Sequence, residues 1–159
     1  MATPISAVAR ATAAPQPPTV GVVDHVADGD TFTLRGGNRV RIIGIDAPEE
    51  YFGRHDCGSK PAAALLQRLL PPGTRVTVRR DSIQPNRDRY QRLLRYVGRT
   101  GVPDVGLAMI RSGWAGADPY GDGNAREGTY AQAARHAKAL RVGAWGGCHP
   151  LPPAFLHTT

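Results

Sequence analysis

The sequence predicts an α+β protein, a closed five-stranded β-barrel carrying about three α-helices. Three observations predict it. Short β-branched segments separated by Gly, Asp and Asn turns recur between Val20 and Val97. Two longer stretches place apolar residues at helical spacing. A chain of 159 residues with 41% hydrophobic content suits one domain with one modest core.

Val20 to Ala27 is β-branched and apolar, and Asp28-Gly29-Asp30 interrupts it with turn chemistry. Thr31 to Arg35 resumes as a strand, and Gly36-Gly37-Asn38 turns the chain into Arg39 to Ile45, completing a meander. Asp46-Ala47-Pro48-Glu49-Glu50 ends the third strand, because proline cannot donate to a central ladder. Ser59 reads as an N-cap with Pro61 in the first turn. Ala62, Leu65, Leu66, Leu69 and Leu70 then keep helical spacing until Pro71-Pro72-Gly73 stops it. Thr74 to Arg80 alternates as a half-buried strand, and Arg92 to Val97 reads as the fifth. Asp104 caps a short helix from Val105 to Arg111. A last helix runs from Arg126 to Val142, with Tyr130, Ala133, Ala134, Ala137 and Leu140 on one face and Gly143 as its stop.

Residues 1–18, rich in Ala, Pro and Thr, read as a disordered leader or linker, or as the remnant of an export signal. The small residues Ala11 to Ala14 fit the end of such a signal, although its basic start and apolar stretch are missing. Residues 19–148 form the domain and 149–159 a loose tail. No apolar run approaches the ~20 residues that span a bilayer.

Net charge is +7, and all but Lys60 and Lys138 of the 20 basic residues are arginine. Arginine offers a planar fork of donors matched to phosphate oxygens, which favours a polyanionic partner; an arginine-rich solvated surface is the plainer reading. Cys57 and Cys148 fit no common metal spacing. A disulfide comes first for them, a pair of free thiols second, and a metal site with His55 and His149 third. A disulfide implies an oxidising compartment, so an exported or extracellular protein is expected.

Three segments carry candidate chemistry: Asp28-Gly29-Asp30-Thr31, Arg41 to Glu49, and Arg87-Asp88-Arg89-Tyr90-Gln91-Arg92. Asp30 and Asp46 stand at strand ends, where a scaffold holds carboxylates rigidly, and hard oxygen ligands of this kind suit Ca²⁺ or Mg²⁺. Each aspartate alone is more often turn or cap chemistry. Period-two alternation puts Arg41 on the strand face of Ile43 and Ile45, where a guanidinium needs an anionic partner or a path to solvent. It is either a structural ion pair or an arginine aimed at a substrate phosphate. Glu49 follows a stiff proline and can act as a general base on water; its plainer reading is an exposed carboxylate. Phosphodiester hydrolysis needs a base, cations for the charge growing on phosphorus, and a metal clamp. No Ser–His or Cys–His pairing accompanies the set, which argues against covalent catalysis.

In this order the segments resemble the staphylococcal nuclease (thermonuclease) family. The matches are DGDT at Asp28–Thr31, VRIIGIDAPE at Val40–Glu49 and DRYQRLLRYV at Asp88–Val97, followed by LAMIRSGWA at Leu107–Ala115 and a helix ending in GAW at Trp145. The resemblance implies an OB-fold barrel with three helices and a Ca²⁺-dependent nuclease active on DNA and RNA. It implies catalytic roles for Arg41, Glu49 and Arg92, and calcium ligands at Asp30, Asp46 and the Ala47 backbone carbonyl. It further implies substrate contacts from Arg89 and Tyr90 and, on a looser match, from Tyr120. Two positions depart from the pattern: Ala47 stands where the family has threonine, and Gln91 where it has glycine. The rival reading is a non-catalytic OB-fold module that binds nucleic acid or a protein; degenerate copies lose an arginine, the glutamate or a metal aspartate, and all five are present here. A monomer is the default at this size.

Overall fold

A computed structural model gives the fold and describes residues 16–157. Residues 1–15 of the expected leader therefore lie outside the described residues. The strands β1 (Thr19–Val26), β2 (Thr31–Leu34), β3 (Arg39–Ile42), β7 (Arg75–Arg79) and β8 (Leu93–Gly98) close into a barrel in the order β1-β2-β3-β8-β7. All pairs are antiparallel except β3 with β8, which run parallel with Arg41 opposite Leu94. Between β3 and β7 come the two-residue strands β4 (Ile45–Asp46), β5 (Glu50–Tyr51) and β6 (Arg54–His55), then helix α1 (Ser59–Leu69). After the barrel follow α2 (Val105–Arg111), β9 (Gly116–Ala117), α3 (Glu127–Ala139), the single turn α4 (Ala144–Gly147) and a 3₁₀ turn at Pro153–Phe155.

The third strand is shorter than alternation predicts. Gly44 takes φ 80°, so the chain turns after Ile42 and resumes as β4, which pairs with β9 instead of the barrel (Ile45 opposite Ala117, Asp46 opposite Gly116). A Cβ on Gly44 would stand 2.8 Å from the Tyr130 ring, so the turn needs glycine for space as well as for φ. The turn breaks the period-two register, so Arg41 does not share a continuous strand face with Ile43 and Ile45.

The main core lies inside the barrel and beneath α1, α2 and α3, built on Phe32, Val40, Ile42, Leu66, Leu94, Met109, Ile110 and Tyr130. Asp104 caps α2 as expected, and it does more. Its carboxylate accepts from Leu107 N at 2.9 Å, Tyr130 Oη at 2.8 Å and Arg126 Nη1 at 2.6 Å, tying the start of α2 to α3. Asp104→Ala is expected to cost about 2–4 kcal/mol, the sum of a lost cap and lost bonds to a buried hydroxyl and a cation. A shift in the denaturant midpoint measures it.

Three expectations need correction. Ser59 is the first helical residue and not the cap; Gly58 holds the cap position at φ 89°, a conformation glycine adopts without strain. The last long helix stops at Ala139, three residues early, and Leu140 is exposed and leaves the apolar face. The C-terminal segment packs as far as Phe155 and is not loose over that length. Cys148, Ala154 and Phe155 are buried with Trp145 in a second small core, and the Trp145 and Phe155 rings meet edge to face at 4.8 Å. Cys148 is disulfide-bonded to Cys57, 91 residues away, which settles the thiol question and fastens this segment to the loop after Glu49.

Candidate active site

Asp30, immediately before β2, is buried, and both its carboxylate oxygens have partners. Oδ1 accepts from Thr31 Oγ1 at 3.0 Å and lies 3.2 Å from Arg41 Nε; Oδ2 accepts from Ala47 N at 2.9 Å. That last bond joins two of the sequence motifs directly. It is possible because Gly29 has no side chain: a Cβ there would stand 2.6 Å from the Ala47 Cβ and 2.8 Å from the Ala62 Cβ. The alanine at position 47 thus fills the space beside Gly29 and points into the core, leaving its carbonyl unaffected.

Arg41 is 7% exposed and held on every side. Nη1 donates to the carbonyls of Ile42 (2.8 Å) and Ile45 (2.6 Å), Nε faces Asp30, and Nη2 donates to Asp46 Oδ1 at 3.1 Å. Burial works against its charge, but Asp30, Asp46, Asp28 and Asp118 around it raise its pKa. Counting donors leaves a single Nη2 hydrogen for any other acceptor. The structural ion pair that sequence reasoning set against a phosphate contact is therefore present, with one donor to spare.

Arg92 directly precedes β8 and crosses to β2. Nε donates to Asp88 Oδ2 at 2.8 Å and Nη1 to Thr31 Oγ1 at 3.1 Å, so its bonds leave the Nη2 edge open. Asp88 also accepts the Arg92 and Tyr90 backbone amides. Although burial opposes ionisation of Asp88, the bonds from Arg92 hold its carboxyl below the usual range. The turn between them passes through Gln91 at φ 63°, a left-handed conformation in which glycine sits without penalty. Tyr90 is exposed between two cations, with Arg89 4.8 Å and Arg92 5.4 Å from its ring.

Glu49 is half-buried, and its carboxyl accepts no hydrogen bond among the described residues. Burial raises its pKa, the charge of Asp30 raises it further, and Arg41, Arg92 and Arg54 pull the other way. Both candidate arginines therefore lie within electrostatic reach of the one carboxyl, although the three side chains come from separate motifs. Tyr120 lines, with Arg41 and Gln84, a cavity of about 10 Å³, and its carbonyl accepts from Gln84 Nε2 at 2.7 Å.

The donor set fits a hard divalent cation. Asp46 is pushed up to about 7, chiefly by burial and then by Asp30, Asp118 and Glu49, against the pull of Arg41. Asp28 also rises to about 7, by burial and by the charge of Asp30. Carboxyls crowded in this way lack positive charge, and calcium takes oxygen ligands of this type. Among the described residues no three acidic, His or Cys side chains form a complete cage. Asp30, Asp46 and the Ala47 carbonyl would supply part of a shell, with water or substrate oxygen as the remainder.

A stability prediction follows from these groups. Between about pH 4 and pH 7 the folded chain keeps protons on Asp28 and Asp46 that the unfolded chain has released, so stability falls as pH rises through that window. Calcium competes with those protons. Its addition is expected to raise the melting temperature more at about pH 8 than at about pH 5, as differential scanning fluorimetry can measure.

Sequence reasoning missed several contributors. Asp28, Asp88 and Asp118 shape the electrostatics, and Thr31 bridges Asp30 to Arg92. Asp88 carried a legible signal, lying four residues before Arg92; Asp118 carried none, because only the β4–β9 pairing brings it near.

The family model for staphylococcal nuclease homologues matches residues 39–147, more than half of the chain. The chain belongs to the staphylococcal nuclease homologue family. Its barrel is accordingly the OB-fold of that family; β1 and β2, which precede the matched residues, are strands of the same closed barrel. Curated relatives agree. Endonuclease YhcR of Bacillus subtilis (strain 168) is 33% identical over 117 residues, covering 64% of this chain but 9% of that protein. An uncharacterized endonuclease of Escherichia coli O157:H7 is 31% identical over 136 residues, covering 84% of this chain and 81% of that protein. The succinoglycan biosynthesis protein ExoI of Rhizobium meliloti (strain 1021) is 33% identical over 130 residues, covering 76% of this chain and 61% of that protein.

Proposed function

We propose that the protein is a calcium-dependent nuclease that hydrolyses phosphodiester bonds in DNA, RNA or both, with little sequence preference. The observation that carries this reading is the half-buried Glu49 carboxyl, which accepts no hydrogen bond among the described residues, in electrostatic reach of two arginines that each keep a spare donor.

Glu49 takes a proton from a water molecule as that water attacks phosphorus, and its raised pKa brings it nearer to the pH at which a general base works best. The open Nη2 donors of Arg41 and Arg92 meet the non-bridging oxygens, where negative charge grows in the pentacoordinate transition state. The P–O bond opposite the attacking water breaks, and the departing oxygen takes up a proton from solvent. Asp30, Asp46 and the Ala47 carbonyl would hold calcium, which would supply further positive charge against the negative charge of the transition state. Arg89, Tyr90 and Tyr120 contact the substrate around it. Phosphate contacts dominate such a site, so sequence preference is weak. The Cys57–Cys148 disulfide supports an oxidising setting outside the cytoplasm, and the chain acts as a monomer.

A gel assay on single-stranded DNA and RNA, run with calcium and with a chelator, tests the proposal. Cleavage with calcium and none with chelator is the expected result; cleavage that is indifferent to chelator would remove the metal from the account.

A further inference from the structure

Between Glu49 and Cys57 the chain folds into the hairpin β5–β6, with Glu50 opposite His55 and Tyr51 opposite Arg54. Its two-residue loop, Phe52–Gly53, takes φ 42° and 81°. Positive φ at both loop positions is the hairpin turn that Asn-Gly or Gly-Gly occupies most easily, and a bulky side chain there is strained. Burial offers Phe52 no compensation, because it is fully exposed; Tyr51 beside it is 49% exposed. The two rings meet edge to face at 6.2 Å, and the Arg54 guanidinium lies 6.0 Å from the Tyr51 ring. The tip thus shows solvent two aromatic rings and a cation.

The hairpin is fixed relative to the candidate catalytic carboxyl. Arg54 grips Asp56 through Nε (2.9 Å) and Nη2 (3.0 Å), and Asp56 Oδ2 accepts the Glu49 backbone amide at 3.2 Å. The next residue, Cys57, is bonded to Cys148. Arg54 also acts on the charge of the Glu49 carboxyl itself. The base of the aromatic hairpin therefore lies directly beside the residue that carries the candidate catalytic carboxyl.

We propose that Tyr51, Phe52 and Arg54 form a stacking platform for a base of single-stranded nucleic acid, holding a nucleotide that flanks the scissile phosphate. The proposal rests on the nuclease reading and adds a base-binding position to it. Aromatic faces beside arginine take any base without reading its edge, in keeping with weak sequence preference. A duplex hides those base faces in its stack, so the platform favours single strands. The net charge of +7 favours a polyanion at this tip over an apolar protein surface.

Fluorescence anisotropy tests it, with a labelled single-stranded oligonucleotide and an abasic strand of the same length, in chelator and at one salt concentration. The parent protein is expected to prefer the base-bearing strand. Phe52→Ala should lose roughly tenfold in affinity for that strand and keep its affinity for the abasic one, while Phe52→Trp retains both. Circular dichroism on each variant confirms the fold. Equal affinity of the parent and Phe52→Ala for the base-bearing strand overturns the platform, and so does an equal loss on both strands. Concentration-dependent sedimentation abolished by Phe52→Ala, with oligonucleotide binding unchanged, would place a second copy on the tip and overturn it too. Cleavage is not read in this experiment, so a failure of the nuclease reading shows separately, as a parent protein that leaves substrate intact in calcium.

Discussion

Glu49→Gln is expected to slow cleavage by roughly 10²–10⁴-fold, the usual contribution of a positioned general base. The substitution keeps size and shape and removes only the ability to take a proton. Stability should hold or rise slightly at neutral pH. The carboxyl makes no hydrogen bond that a neutral amide would lose, and burial is the main cause of its raised pKa, so the folded state favours the uncharged form. Substrate affinity is expected to change little, placing the loss in kcat. Because the base works deprotonated, the parent's rate should climb with pH through the raised Glu49 pKa, and the variant's rate should lack that limb. Steady-state kinetics across pH, beside a thermal melt, separates the catalytic loss from unfolding.

Arg41→Ala is expected to have the largest effect on stability, about 3–5 kcal/mol, with activity lost as well. The size follows from what the guanidinium holds: two main-chain carbonyls, Asp30 and Asp46, all at 3.2 Å or less. Without it, crowded carboxyls face each other and the Ile42 and Ile45 carbonyls lose their donor. In a domain of this size that loss lowers the melting temperature by roughly 10 °C or more. Calcium should restore part of the stability, since a divalent ion answers the same excess of negative charge, but it should not restore cleavage. A variant that melts like the parent in calcium-free buffer would show the Asp30–Arg41–Asp46 arrangement to be dispensable for folding.

These contrasting expectations for two neighbouring groups explain what the sequence made legible. The barrel strands and the two longer helices came from period and turn chemistry, and Asp104 was readable as a cap because its signal is local. Arg41 was ambiguous, since an arginine in an apolar strand looks alike whether it pairs with acids or reaches for a phosphate. Coordinates alone show that it does the first while keeping a donor for the second. The break at Gly44 was hidden because Arg39 to Ile45 alternates well enough for one strand; the Tyr130 ring that leaves no room for a side chain at that turn arrives from α3, far along the chain. Packing of the segment through Phe155 was hidden for the same reason, since its Trp145 contact is set by tertiary packing, whereas the tie to Cys57 was the first reading of the two cysteines. Gln91 illustrates the opposite case. The resemblance marked it as a departure from glycine, and its φ of 63° supplies the physical reason glycine suits that turn.

The most direct test is the rate at which Arg92→Ala cuts a single-stranded oligonucleotide in saturating calcium, with a thermal melt on the same sample. Arg92 reaches the site from the start of β8, far in sequence from Arg41 and Glu49, so its loss reports on whether separate strands converge on one phosphate. A fall of more than about 100-fold with near-parental melting is the predicted result. A variant that melts like the parent and cuts as fast would contradict that convergence.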